Sequence, residues 1–162
     1  MFSQTYKYKS TLVAKYLLSR ANEDRIVINM TKLQKLLYIA YGTYLVIKEE
    51  RLTDESPKAW PYGPVFPKVR KNLLKVDFTN YSINGDVEYD AIVHDKDVNN
   101  LVNLVLRIFG SWTSGQLVEW THITGAPWDK TRYMHNFQWN QTIPDEYIKE
   151  YFSEIIEFGD GK

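Results

Sequence analysis

The stretch Thr31-Lys-Leu-Gln-Lys-Leu-Leu-Tyr-Ile-Ala-Tyr-Gly-Thr-Tyr-Leu45 carries the strongest periodicity in the chain. Leu33, Leu36, Leu37, Ala40, Tyr41, Tyr44 and Leu45 recur at i, i+3, i+4, i+7, i+8, i+11 and i+12, which lines one stripe of an α-helix. The spacing predicts a helix capped by Asn29 or Thr31 and running to about Glu49, the spine of an apolar core. Ala40 is the small member of the stripe, where a neighbour could approach closely. Gly42 costs helix propensity. Lys32 and Lys35 fall off the stripe and read as a solvated face.

Downstream, Lys58-Ala-Trp-Pro-Tyr-Gly-Pro-Val-Phe-Pro67 gathers three aromatics, three prolines and one glycine in ten residues. Each proline fixes its own φ and pushes the preceding residue toward extended geometry, so this is a stiff, shaped connector. Gly63 before Pro64 reads as a turn. Two roles are open to Trp60 and Tyr62: aromatic plugs in the core beneath the connector, the commoner case, or contacts on a pre-ordered recognition surface.

Outward from this pair, helical spacing places Leu12, Val13, Tyr16 and Leu17 on one face of Ser10–Ala21, with Ser10 as its cap. A short helix is expected over Pro67–Lys75. Between Asp77 and Ile92 the period drops to two, and Asn84–Gly85 between Tyr81/Ile83 and Val87/Tyr89 predicts a two-residue hairpin. The helical period returns with Val98, Leu101, Leu104, Val105, Ile108 and Phe109, closed by Gly110 in a left-handed conformation. A shorter helix, Gly115–His122, is capped by Thr113 or Ser114, and Pro127–Trp128 begins another short turn. Gln138–Gln141 reads as loop. Pro144 and Asp145–Glu146 announce a last helix with Ile148, Tyr151, Phe152, Ile155 and Ile156 inward and Glu150, Glu154 and Glu157 outward. The expected architecture is mainly α: a single compact helical domain over residues 1–162 with one small β-hairpin.

Composition bounds the function. With 44% apolar residues and no apolar run near the about 18 needed, a membrane span is not expected. The N-terminus lacks the pattern of a secretory signal, and the absence of cysteine excludes disulfides, thiolate metal sites and cysteine nucleophiles; a reducing, cytoplasmic setting fits. Net charge is zero but segregated: residues 1–75 carry 14 Lys+Arg against 6 Asp+Glu, and residues 76–162 carry 6 against 14. The simpler reading is that the halves face and neutralise one another. Without a dense basic run or a nucleic-acid motif, nucleic-acid binding is disfavoured. Twelve tyrosines and five tryptophans permit self-association.

Motifs for chemistry are sparse. Neither a phosphate loop nor a nucleophile elbow is present, and no cofactor is expected. Glu119 and His122 form a single Glu-x-x-His pair, whereas a helical di-metal site needs two. As an acid/base pair, Glu119 would orient the imidazole and raise its pKa. The blander role for His122 is a half-buried ring hydrogen-bonded across the Trp120–Trp128 corner. Enzymatic activity is the weaker expectation.

Three blocks resemble a known family. Lys32-Leu-Gln-Lys-Leu-Leu-Tyr38 resembles the Leu-Gln-Lys-Leu-hydrophobic-Tyr helix of the Panacea (SocA-like) family, and Ala59-Trp-Pro-Tyr-Gly-Pro-Val65 is similar to its Ala-Trp-x-x-Gly-Pro-Val block. Leu117–His122 followed by Pro127–Trp128 resembles its Thr-His … Pro-Trp block, here with Trp120 before the Thr-His. The resemblance implies a helical antitoxin-type module that neutralises a toxin, often encoded next door, by direct binding. Some members present their partner to a protease, and many occur on phages and prophages, including accessory proteins without a toxin. The shared positions fall on Lys35, Tyr38, Trp60, Gly63, Pro64, Thr121, His122, Pro127 and Trp128, with Tyr62 inside the second block. Family antitoxins often add a partner-specific extension, and only short flanks surround the blocks here.

Three functions follow in rank: a module binding a protein partner through the proline loop, a small hydrolase or transferase using His122 and Glu119 near Trp60 and Trp128, and a nucleic-acid binder using the basic half.

Overall fold

The computed structural model describes residues 5–160, the last four by backbone alone; Met1–Gln4 and the side chain of Glu157 lie outside the described residues. The chain is mainly α. Its elements are β1 (Tyr6–Tyr8), α1 (Ser10–Glu23), α2 (Met30–Lys48), β2 (Arg51–Thr53), β3 (Lys58–Trp60), β4 (Gly63–Val65), α3 (Pro67–Leu73), α4 (Tyr89–Val93), α5 (Lys96–Phe109), α6 (Ser114–Thr121), α7 (Pro127–Met134), β5 (Gln141–Thr142) and α8 (Asp145–Asp160).

Helix α2 is the spine that its periodicity predicts. Asn29 caps it, its side chain accepting from the Lys32 N–H at 2.8 Å, and Glu49 ends it in the left-handed conformation. α1, α5, α6, α8, β2 and β4 all pack on it. A helix so enclosed is buried around its circumference. Lys32, Gln34 and Lys35 are therefore interior, which corrects the expected solvated face for Lys32 and Lys35. The polar groups are accommodated because each reaches a main-chain group of another element. Lys32 Nζ donates to the Gly110 carbonyl at 2.6 Å, favourable at the negative end of α5. Gly110 itself is right-handed (φ −61°), not left-handed as expected. The close approach to α2 falls at Gly42, where a Cβ would stand 2.5 Å from the Phe152 ring of α8.

The helix boundaries expected for α3, α5, α6 and α8 fall within a few residues of those observed. Ser10 differs in role. It is the first helical residue; its N–H donates to Asp54 Oδ1 at 2.8 Å and its hydroxyl to Glu55, so the carboxylates after β2 serve the start of α1. Ile108 and Ile155, expected inward, are exposed.

The β-hairpin lies elsewhere than predicted. Around Asn84–Gly85 there is a turn, Gly85 at φ +96°, but no strand on either side. Val87 is 97% exposed and Tyr89 opens α4, so one of the two expected strands has no face to bury. The segment is instead pinned onto α1 by side chains. Asn22 donates to the Phe78 carbonyl (3.1 Å) and accepts from the Tyr81 N–H (3.3 Å), and Ser19 accepts from the Ile83 N–H (3.1 Å). These bonds do the work of a strand ladder.

The true hairpin is the proline-rich connector. β3 and β4 pair antiparallel, Trp60 opposite Gly63, across a two-residue turn of Pro61 and Tyr62. β5 joins the other edge of β3, giving the order β4-β3-β5. Pro64, with no N–H to donate, sits on edge strand β4, and Pro67 takes the first turn of α3. A second, parallel ribbon joins β1 to β2.

The charge segregation resolves as expected. Among the described residues, Lys9–Glu88, Lys15–Asp86, Lys48–Asp97 and Arg51–Asp145 each join a cation of the first half to a carboxylate of the second. No helix is long and apolar enough to cross a membrane among the described residues.

Candidate functional site

The site is built where the polar end of α2 meets the β3–β4 hairpin. Gln34 acts as a surrogate strand: its Oε1 accepts from the Phe66 N–H at 2.7 Å and its Nε2 donates to the Phe66 carbonyl at 3.3 Å. At the next position, Lys35 Nζ donates to the Pro64 carbonyl at 3.1 Å, a carbonyl on the open edge of the sheet. Lys35 is 1% exposed, and burial pushes its pKa down to about 8. Gly63 has φ +115°, and a Cβ there would stand 2.8 Å from Lys35 Cε and 2.9 Å from Thr121 Oγ1. Conformation and space both demand glycine. The three sequence blocks are thus one packed unit: α2 supplies Gln34 and Lys35, the hairpin supplies Gly63 and Pro64, and α6 supplies Thr121.

The hairpin's outer side is locked by aromatics. Trp128 Nε1 donates to the Trp60 carbonyl at 2.6 Å, and Trp60 Nε1 donates to Asn140 Oδ1 at 2.9 Å. The His122 ring lies flat on Trp128, centroids 3.7 Å apart and planes 2° from parallel. Its Nε2 is buried without a hydrogen-bond partner. Burial, then the neighbouring charges of Lys35 and Arg132, lower the His122 pKa, with the Tyr62 backbone and Asp129 acting weakly the other way. Such a ring is neutral near pH 7. The raised pKa expected from Glu119 is corrected: the charges that reach the ring are Lys35, Arg132 and Asp129, while Glu119 is exposed beside Trp112 and Trp120. Pro127 is buried at the start of α7, its carbonyl accepting from Thr131 Oγ1 at 2.8 Å. Tyr38 is 2% exposed and meets Phe152 edge-on at 5.5 Å, a core role.

Tyr62 is the exception among the singled-out residues. It stands 76% exposed at the hairpin tip, so it is no core plug, whereas Trp60 is half-buried. Around them an exposed aromatic face continues. Trp139 (62% exposed) packs tilted against Trp60 at 5.2 Å, and Arg132 lies over both Trp128 (5.4 Å) and Phe137 (5.8 Å), which in turn meets Tyr133 at 6.3 Å. Arg70 of α3 lies over the Trp60 ring at 5.9 Å. A pocket of about 300 Å³ opens between the start of α2 and the hairpin, walled by Met30, Gln34, Lys35, Trp60, Tyr62 and Arg70 among others.

Sequence reasoning missed Gln34, Arg70, Arg132, Trp139 and Asn140. Gln34 was visible inside the first motif, but a glutamine in a helix gives no sign that it is bonding to a strand. Trp139 and Asn140 were hidden because they lie in the turn before β5, a strand of two residues with no periodicity. Among the described residues no group of three or more His, Cys, Asp and Glu could hold a metal ion.

The family model for the antitoxin SocA-like, Panacea domain matches residues 33–129, from the first Leu of α2's motif to the residue after Trp128. Antitoxin SocA of Caulobacter vibrioides (strain NA1000 / CB15N) is 35% identical over 126 residues, covering 72% of this chain and 66% of that protein, just under two thirds of its length. No solved structure matches. The residues matched by the family model take in the second and third blocks and all of the first but Lys32, and the chain belongs to the SocA-like antitoxin family that carries the Panacea domain.

Proposed function

We propose that this protein, acting as one helical domain, is an antitoxin that neutralises a partner toxin by direct contact, and that Tyr62 at the hairpin tip, with Trp60, Trp139 and Phe137, forms the contact face. The observation that carries this is Tyr62 itself: its side chain is 76% exposed on a two-residue turn whose flanking residues are all held from beneath. Exposed aromatics beside arginines are the residue types that dominate binding energy at protein interfaces. A turn fixed by proline and by buried struts loses little further entropy when a partner arrives. On this reading Lys35, Tyr38, Gly63, Pro64, Thr121, His122, Pro127 and Trp128 hold the face in shape, and Trp60 and Tyr62 touch the partner. The setting is cytoplasmic, the gene is carried by a phage or prophage, and the work is binding, not catalysis.

The test is co-expression with the product of the adjacent reading frame in a host that this product arrests. Restored growth and co-purification in a fixed ratio support the reading; arrest in the presence of folded, abundant protein sinks it. Toxin abundance separates the two modes of neutralisation. Sequestration leaves the level unchanged, and presentation to a protease lowers it.

A further inference from the structure

Lys35 poses a problem that the hairpin alone does not solve. An ammonium that is 1% exposed would ordinarily be paired with a carboxylate, because removing an isolated charge from water is costly. Its hydrogen bond is to one neutral carbonyl, that of Pro64, and burial alone accounts for its lowered pKa, with no carboxylate opposing. Arg70 shares the same pocket and is equally without an acid: its contact is the face of Trp60. Among the described residues, the ion pairs include neither Lys35 nor Arg70. The pocket they line contains no Asp or Glu. The contrast with the cavity at the other end of α2 is direct, for there Lys48 closes on Asp97 at 2.7 Å and the charge is satisfied within the chain.

We infer that the pocket between the start of α2 and the hairpin receives a carboxylate side chain from the protein partner, held by Arg70 at the mouth and by the field of buried Lys35. This rests on the partner-binding reading above and names the chemistry of what enters. Trp60, Tyr62, Met30 and Val65 supply apolar walls, so the inserted element is an Asp or Glu flanked by apolar residues. The guanidinium of Arg70 offers a planar fork that suits a carboxylate, and its place over the Trp60 ring, 5.9 Å from the centroid, sets that fork at the pocket mouth. A charge left unmatched in the free protein and matched on binding favours acidic partners over neutral ones, and gives specificity more than bulk affinity.

The experiment uses two blocked tripeptides, N-acetyl-Leu-Glu-Leu-amide and its Gln counterpart, titrated at millimolar concentration into the isotope-labelled full chain. The Trp60 indole N–H and the Arg70 guanidinium N–H are followed by NMR. The expected result is saturable shifts for the Glu peptide, with a Kd at least about fivefold lower than for the Gln peptide. Arg70→Glu, a change at an exposed position, abolishes that preference, and Lys71→Glu on the same helix but outside the pocket keeps it. Equal response to both peptides overturns the inference, as does a preference that survives Arg70→Glu in a protein with unchanged circular dichroism. If the peptides bind alike while a toxin is neutralised, the carboxylate pocket fails and the antitoxin reading stands. If the Glu peptide is preferred but no toxin is neutralised, the pocket is upheld and the toxin reading fails.

Discussion

The two halves of α2 are held in the fold by different chemistry. From Asn29 to Tyr38 the helix inserts polar side chains that grip other segments by their main chain: Lys32 on Gly110, Gln34 on Phe66 and Lys35 on Pro64. From Ile39 to Lys48 it packs by shape, with Gly42 taking the edge of Phe152, while the Tyr41 hydroxyl reaches Asp145 at 2.6 Å and Tyr44 reaches Glu50 at 3.1 Å. The first half adds struts to its core residues Leu33, Leu36, Leu37 and Tyr38, and the second packs mainly as core. The first family block, Lys32–Tyr38, contains all three struts, two of which hold the segment from Pro64 to Phe66 at the end of the hairpin. The difference should be visible in how each half fails.

The largest effect is expected on the core side. Phe152→Ala empties the space beside Gly42 and should cost about 3–5 kcal/mol in a denaturant titration, the whole chain unfolding together. On the strut side, Gly63→Ala must take an unfavourable φ and crowd Lys35 and Thr121, at a cost of about 2–3 kcal/mol. Hydrogen exchange should locate its loosening in 58–66 and 139–142, leaving α5 and α8 protected. If both variants loosen the same residues, the division of α2 is wrong.

Lys35 sharpens the contrast through pH. Its folded pKa is about 8, below the roughly 10.4 of an unfolded lysine, so between these values the unfolded chain holds more protons than the folded one. Stability should rise with pH, by on the order of 2 kcal/mol between pH 7.5 and 9.5, through this group. Lys35→Met should lack that rise. The readout is the difference between the two proteins' stabilities across the window, and parallel curves would show that the ammonium is not buried as described.

Trp128→Phe removes one indole donor from the Trp60 carbonyl while keeping a ring beneath His122, and should cost about 1 kcal/mol with local loosening of the hairpin. The smallest effect belongs to His122. Its pKa is lowered on folding, so the unfolded chain binds the extra proton first, and stability through this group falls as pH drops below the usual histidine value. The half-exposed ring is screened, and His122→Gln should flatten the stability profile between pH 7 and 5 by less than about 1 kcal/mol.

The α2 spine, the caps at Asn29 and Thr113 and the stripe of α8 were legible because each is a local, periodic signal. The hairpin was misplaced for a physical reason. Asn84–Gly85 has the right turn chemistry but nothing to pair with, since Ser19 and Asn22 already satisfy that backbone, while Pro61–Tyr62 lacks the usual turn glycine yet is flanked by strands that Gln34, Lys35 and Trp128 hold. Side chains from distant helices decide which segment becomes a ladder, and no window of sequence contains them. For the same reason Lys32 and Lys35 looked solvated. Their partners are carbonyls 78 and 29 residues away. The motif residues were found, but their burial and the exposure of Tyr62 came only with the structure.

The most direct test of the proposed face is Tyr62→Ala in the toxin co-expression assay, with thermal melting measured in parallel. Tyr62 is mostly solvent-facing, so the account predicts an unchanged melting temperature together with lost neutralisation and lost co-purification of the toxin. Full neutralisation by a folded Tyr62→Ala protein would contradict it and move the interface away from the hairpin.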